Sequence, residues 1–383
     1  MSLGIDFGTS GVRAAVIDPM GQVMAKARYQ FSVHEVIEPA AWARSLHYLL
    51  AQIPRSLRTQ IGRIAVNGTS ATVLLCDRAS NPLTPALLYN DARGRNALAE
   101  VRSVAPVNSP ALSATSSLAK ALWWRQTLPL AVQSQASQIL HQADWIAGLL
   151  HSSPPVSDYH NALKLGYDVR TLSYPDWLLA SLIAPWLPAV REPGEVISPV
   201  RPSLVADFSF PTTCQICAGT TDSIAAFLAS GACAPGEAVT SLGSTLVLKL
   251  LSPQPINDQA YGIYSHRLAD LWLVGGASNT GGAVLEQYFD SAQLAKLSAD
   301  IDISDPCQLD YYPLIAPGER FPVNDPDYPP RLTPRPERDQ DFLYGLLSAI
   351  AKIEADGYQK LSDLGAPTLQ KVYTAGGGAK NMT

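Results

Sequence analysis

The chain opens with Leu3-Gly4-Ile5-Asp6-Phe7-Gly8-Thr9-Ser10-Gly11-Val12-Arg13-Ala14-Ala15-Val16-Ile17. Apolar residues predominate in 3–7 and 12–17 on either side of Gly8-Thr9-Ser10-Gly11, which predicts two strands joined by a tight turn. Asp18-Pro19-Met20-Gly21 is a second turn, so a third strand is expected near 22–29. Trp42, Leu46, Leu49, Leu50 and Ile53 then recur at helical spacing until Pro54 stops them. Strands are predicted again at 63–66 and 72–76, with a turn through 77–82. The order is three strands, a helix, a strand.

That order begins again after residue 236. Residues 237–241 and 246–250 flank the turn Leu242-Gly243-Ser244-Thr245, and an apolar strand at 271–274 ends in Gly275-Gly276. A long amphipathic helix is predicted from about Phe342, with Leu343, Leu346, Leu347, Ile350, Ile353, Leu361 and Leu364 on its buried side. Gly365 caps it, Pro367 lies beyond, and a last strand at 371–375 runs into Gly376-Gly377-Gly378. Two strand-rich α/β lobes, 1–224 and 225–383, each opening with a glycine-bearing hairpin, imply a cleft between them.

Length and composition agree with a two-domain enzyme: 383 residues, 47% of them hydrophobic and only 16% charged. With 28 Lys and Arg against 33 Asp and Glu, the net charge of −5 offers no footprint for nucleic acid. The longest apolar stretch, 177–190, is broken by Pro185 and Pro188 and is too short to span a bilayer, so it reads as a core segment. No membrane partner is expected. The N-terminus lacks the basic and apolar regions of a signal peptide, which predicts a cytoplasmic chain. Five cysteines are too few for a secreted disulfide framework. Cys214-Gln215-Ile216-Cys217 reads as strand-borne thiols rather than a redox or metal pair, and His34-Glu35 is not completed as a zinc motif.

The chemistry gathers at a few segments. Asp6 sits at a strand end, before a turn whose glycines let backbone amides approach an anion and whose Thr9 and Ser10 hydroxyls add donors. A bare carboxylate would repel phosphate, so Asp6 makes sense with Mg²⁺ between them, held through water. Gly243-Ser244-Thr245 repeats the glycine–hydroxyl chemistry in the second lobe. Gly376-Gly377-Gly378-Ala379-Lys380 leaves bare backbone for a flat ring, although it is no Walker A loop. Gly219-Thr220-Thr221-Asp222 precedes an apolar run, which puts Asp222 in the first turn of a helix joining the lobes. There it either caps the helix or, kept ionised by the helix terminus, serves as a base.

Taken together these segments resemble the FGGY carbohydrate kinases of the actin-like and hexokinase-like ATPase superfamily, whose core is ribonuclease H-like. The likeness extends over nearly the whole chain. It also takes in Asn81-Pro82-Leu83 to Tyr89-Asn90-Asp91-Ala92-Arg93, Ser157-Asp158-Tyr159-His160-Asn161-Ala162, and Gly318-Glu319-Arg320-Phe321-Pro322. The resemblance implies Asp222 as catalytic base and Asp6 as the Mg²⁺-associated carboxylate that also touches the sugar. It implies Thr9, Ser10, Gly11, Gly243, Ser244 and Thr245 as ATP phosphate contacts, with Gly377, Gly378 and Asn381 at the adenosine. Where xylulokinases carry Gln-Met-His, this chain has Gly68-Thr69-Ser70-Ala71-Thr72, so Ser70 becomes the expected sugar contact. That small Ser/Thr set looks like the compact xylulokinase-like proteins of cyanobacteria and plastids, a group associated with D-ribulose phosphorylation.

The implied activity is ATP-dependent phosphorylation of a ketopentose, D-ribulose first, at its terminal hydroxyl. D-xylulose is the alternative, and glycerol a distant third. A sugar- or nucleotide-binding switch of the same fold is the rival from another class. The family normally continues past Asn381-Met382-Thr383 with further helix, so the expectation is either a C-terminal lobe truncated at its end or an incomplete nucleotide site.

Overall fold

The computed structural model describes residues 1–107 and 109–381, and the chain divides into two compact units, Met1–Ala226 and Phe227–Thr383. In the first unit the meander is present as β1 (Ser2–Phe7), β2 (Gly11–Ile17) and β3 (Val23–Gln30), each antiparallel to the next. Leu3, Ile5 and Phe7 alternate into the core, as a two-residue period requires. The helix α1 (Pro39–Gln52) buries Trp42, Leu46, Leu49 and Leu50 along one stripe. It begins three residues before that periodicity does, because proline's fixed φ suits a first turn whose N–H has no helical partner. It ends where Ile53, preceding Pro54, turns to the extended conformation.

The strand β4 (Arg63–Gly68) runs parallel to β1, and Gln215–Thr221 runs parallel to β4. The sheet order is β3, β2, β1, β4, Gln215–Thr221, then Val196–Pro199 at the edge. Three parallel strands thus end together, and their registers align Asp6 with Asn67 and Asn67 with Thr220. The last strand is interrupted by a bulge between Cys217 and Thr220. Gly219 permits it, since a Cβ there would stand 1.8 Å from the Val66 carbonyl oxygen. A bulge at a strand end re-aims the side chains that follow.

The second unit repeats the plan. Glu237–Leu242, Leu246–Ser252 and Leu271–Ala277 form an antiparallel meander, and Lys371–Ala375 pairs parallel to Glu237–Leu242, as β4 does to β1. Between them the helix Asp339–Asp363 buries Phe342, Leu343, Leu346, Ile350, Ile353 and Leu361, and Gly365 follows its end at φ +99°. The boundary between the units falls within the helix Asp222–Leu228. The apolar run 177–190 contributes buried Leu178, Ile183 and Trp186, and among the described residues no helix is long and apolar enough to cross a membrane. Cys217 lies on its strand and Cys214 just before it, both buried and unbridged.

Candidate active site

The parallel strands of the first unit set the site. In an open α/β sheet, ligands bind beyond the carboxyl ends of the strands, and here those ends carry Asp6, Asn67 and Thr220-Thr221-Asp222. Asp6 is half-buried, and its carboxyl is raised above the ordinary carboxylate range. Burial is the main cause, Arg13 opposes it, and the charge of Asp222 adds to it. The two acids sequence reading singled out therefore share one electrostatic environment. Asp222 occupies the first position of its helix, and its Oδ1 accepts a hydrogen bond from Ser223 N at 2.7 Å.

Around this pair lie oxygens with unused capacity. Asn67 Oδ1 and Thr221 Oγ1 are buried with no hydrogen-bond partner among the described residues. Buried polar atoms are ordinarily paired, so both atoms suit a bound hydroxyl or water. Ser70 sits in the turn leaving β4, half-exposed, next to Ala71 at φ +65°. That turn is braced from two sides. Gln142 Oε1 accepts from Thr69 N and Oγ1 at 3.0 and 3.1 Å, and the buried Lys120 Nζ donates to the Ala71 and Leu88 carbonyls at 2.7 and 2.6 Å. Burial pushes the Lys120 ammonium down to about 7. Leu88 leads into Asp91 and Arg93, which pair with each other while Arg93 stacks over Trp123 with its Cζ 5.0 Å from the ring centroid.

Thr9 and Ser10 are exposed at the tip of the β1–β2 turn, which Gly8 N closes onto Gly11 O at 3.0 Å. Gly11 has a packing reason to be glycine besides the one anticipated. Its Cβ would stand 2.3 Å from the Tyr29 carbonyl oxygen, so close packing of β2 on β3 already demands it.

In the second unit the hairpin Leu242–Thr245 is braced by backbone. Gly282 N donates to Gly243 O at 2.8 Å and Ala283 N to Ser244 O at 3.2 Å. Gly281, at φ +147°, would place a Cβ 2.7 Å from Ser244 O. The segment before it is tied by Glu319, 2% exposed, which accepts from Ser278 Oγ at 2.5 Å, Asn279 N at 2.8 Å and Tyr312 OH at 3.0 Å. Gly376 and Gly378 pack on Leu242, whereas Gly377 faces open space. Asn381 Nδ2 donates to Ser298 Oγ at 2.9 Å; Met382 and Thr383 lie outside the described residues. The hairpin Gly243-Ser244-Thr245 and the glycines 376–378 meet at Leu242, so the residues expected at phosphate and at adenosine are neighbours within this unit.

Sequence reading missed Asn67, Lys120, Gln142, Gly281 and Glu319. Gly281-Gly282 after a strand ending in glycines was a usable signal. Lys120, Gln142 and Glu319 act through contacts 32 to 73 residues away along the chain, which no local pattern reveals, and Asn67 matters for an unfilled hydrogen bond that sequence does not show.

A model of the FGGY family of carbohydrate kinases, N-terminal domain, matches residues 1–229. The chain belongs to the FGGY family. Within it, the chain is 26% identical over 357 residues to the xylulose kinase of Klebsiella pneumoniae, covering 85% of this chain and 71% of that one. It is 28% identical over 259 residues to the xylulose kinase of Streptomyces coelicolor, covering 63% of this chain but 52% of the relative. The crystal structure of a xylulose kinase from Rhodospirillum rubrum superimposes with a TM-score of 0.83 over 99% of this FGGY chain and 82% of that chain, at 23% identity. The actin-like α/β class expected from sequence is the class observed. No finding singles out the cyanobacterial and plastid group.

As for a metal, no cluster of three or more His, Cys, Asp or Glu side chains exists among the described residues. The donors at hand are Asp6, Asp222 and the partnerless Asn67 Oδ1, all oxygen. That set does not make a protein-only cage. It fits Mg²⁺, which keeps several waters and binds through one or two carboxylates together with substrate phosphates.

Proposed function

We propose that this chain phosphorylates a ketopentose at its terminal hydroxyl with ATP, D-ribulose foremost, and that Asp222 is the base. The observation carrying this reading is the placement of Asp6 and Asp222 together at the carboxyl ends of the parallel strands, where the Asp222 charge adds to the burial that raises the Asp6 carboxyl. Two acids with one environment can divide the work: one takes a proton while the other faces the metal–nucleotide.

In this reading the sugar lies over the strand ends. Asn67 Oδ1 and Thr221 Oγ1, otherwise unpaired, take its hydroxyls, and Ser70 contacts it from the turn after β4. Asp222 accepts the proton of the attacking hydroxyl. Because phosphoryl transfer has a loose transition state, orienting that oxygen matters more than removing its proton early. Asp6 would hold Mg²⁺ through water, and the ion, when bound, neutralises charge on the β- and γ-phosphates. Thr9 and Ser10 supply hydroxyls, and Gly243-Ser244-Thr245 backbone and hydroxyl donors, for the phosphate oxygens. Gly377, with open space around it, leaves room for a flat base, and Gly11, Gly378 and Asn381 complete the nucleotide assignment.

The small turn Thr69-Ser70-Ala71-Thr72 favours ribulose, while the relatives named xylulose kinase favour xylulose as the second reading. Measuring kcat/KM for D-ribulose, D-xylulose, pentitols and glycerol decides between them. The reading expects D-ribulose to lead by at least about tenfold, a difference one or two altered hydroxyl contacts supply. A lead for D-xylulose transfers the assignment. ATP hydrolysis indifferent to every sugar favours the switch.

A further inference from the structure

The bulge at Gly219 shifts the register of the strand Gln215–Thr221 shortly before Asp222; beyond it Thr220 and Thr221 pair again with Asn67 and Gly68 of β4, and Thr220 carries a side-chain tether as well. Thr220 Oγ1 lies 2.8 Å from Nδ1 of His160, sixty residues upstream and 2% exposed. His160 is itself held by its neighbours. Its backbone N donates to Asp158 Oδ1 at 2.8 Å, its ring meets that of Tyr159 edge-on at 4.7 Å, and Nδ1 engages Thr220. Asp158 is wholly buried and also accepts from Asn161 N at 3.0 Å and Asn161 Nδ2 at 2.6 Å, which fixes the short helix Tyr159–Ala162 on the strand Val156–Asp158.

We propose that His160 is a positioning residue for Asp222. By holding the Thr220 hydroxyl, its imidazole adds a side-chain tether to the ladder pairing of the last strand residues before the helix Asp222–Leu228, and so refines the direction of the carboxylate. The inference rests on Asp222 acting as base. It makes His160 matter to turnover without placing it on either substrate.

The test compares His160→Leu, His160→Asn, Thr220→Val and the double variant His160→Leu/Thr220→Val, with Asp222→Ala in parallel. Loss of one buried hydrogen bond that orients a reacting group is expected to lower kcat about tenfold in His160→Leu and in Thr220→Val. The KM for ATP stays within about twofold in both, because the perturbed bond lies in the unit that carries the base. The double variant falls no further than either single one, since both remove the same bond. His160→Asn, whose side-chain amide can stand where Nδ1 stands, returns kcat to within about threefold of wild type. Thr220→Val removes only a hydroxyl and reads the bond from its other end should the leucine variant fail to fold. An unchanged kcat in Thr220→Val, losses that multiply in the double variant, or a loss carried by the KM for ATP overturns the proposal while Asp222→Ala keeps its loss of about a hundredfold or more. Turnover near the wild-type rate in Asp222→Ala overturns the base reading itself, and the positioning role with it.

Discussion

The two units share a sheet plan but spend their sequence differently. At the strand ends of the first, the candidate chemistry lies in side chains: Asp6, Asn67, Ser70, Thr221 and Asp222, steadied by Gln142, Lys120 and His160. At the corresponding hairpin of the second it lies in backbone, shaped by Gly281, Gly282, Gly376 and Gly378, where any Cβ would strike main chain or Leu242. A sugar is recognised by placed oxygens and a base, and a polyphosphate by amides that can come close. One duplicated scaffold is thereby suited to two ligands of different chemistry.

Asp222→Ala probes the side-chain half most severely. General-base removal costs about 10²- to 10⁴-fold in kcat, read by coupled assay on the preferred pentulose, while the thermal midpoint stays near wild type because Asp222 is partly exposed.

Asp6→Asn sets activity against stability. Burial raises the Asp6 carboxyl, so the folded state holds its proton more tightly than the unfolded one. The stability this confers is full below the ordinary carboxylate value and is lost as pH rises through the raised one, so at pH 7.5 the charge is a cost. Asparagine removes that cost. We expect kcat to fall by about 10²-fold and Tm at pH 7.5 to rise; a lower Tm contradicts the account.

Gly281→Ala tests the backbone half. The added methyl meets Ser244 O at a position of positive φ, so the hairpin must shift. The KM for ATP should rise about tenfold with that for sugar unchanged. Gly377→Ala, which meets nothing within 4 Å, should keep its fold and Tm. An equal rise in both KM values for Gly281→Ala would erase the contrast between the units.

The smallest effect concerns Asp158. Burial, then the neighbouring charge of Asp144, lifts it to about 7, against hydrogen bonds from Asn161 and the charge of His141, which lower it. Its stabilising proton is fully held below the ordinary carboxylate value and lost as pH rises through about 7. Between pH 5 and 8, wild type should therefore lose more stability than Asp158→Asn, measured as the difference in denaturation midpoints at each pH.

Much of this was legible in sequence because it is local. A two-residue period bounded by Gly8–Gly11 gives the meander, a 3.6-residue period ended by Pro54 gives α1, and the recurrence after residue 236 exposes the duplication. Asp6 and Asp222 were legible because each stands where a strand gives way to a turn or helix. Asn67 was not, because its significance is an unfilled hydrogen bond, and His160 was not, because its partner is sixty residues away. That packing against Tyr29 also requires Gly11 was not legible, since a glycine does not disclose which neighbour excludes its Cβ.

The central claim is that Asp6 and Asp222 form one coupled site in the first unit. The direct measurement is an NMR titration of the Asp6 carboxyl carbon in wild type and in Asp222→Asn. The account predicts a pKa above the ordinary carboxylate value in wild type, still raised by burial but distinctly lower once the Asp222 charge is gone. An Asp6 titration identical in the two proteins would contradict it.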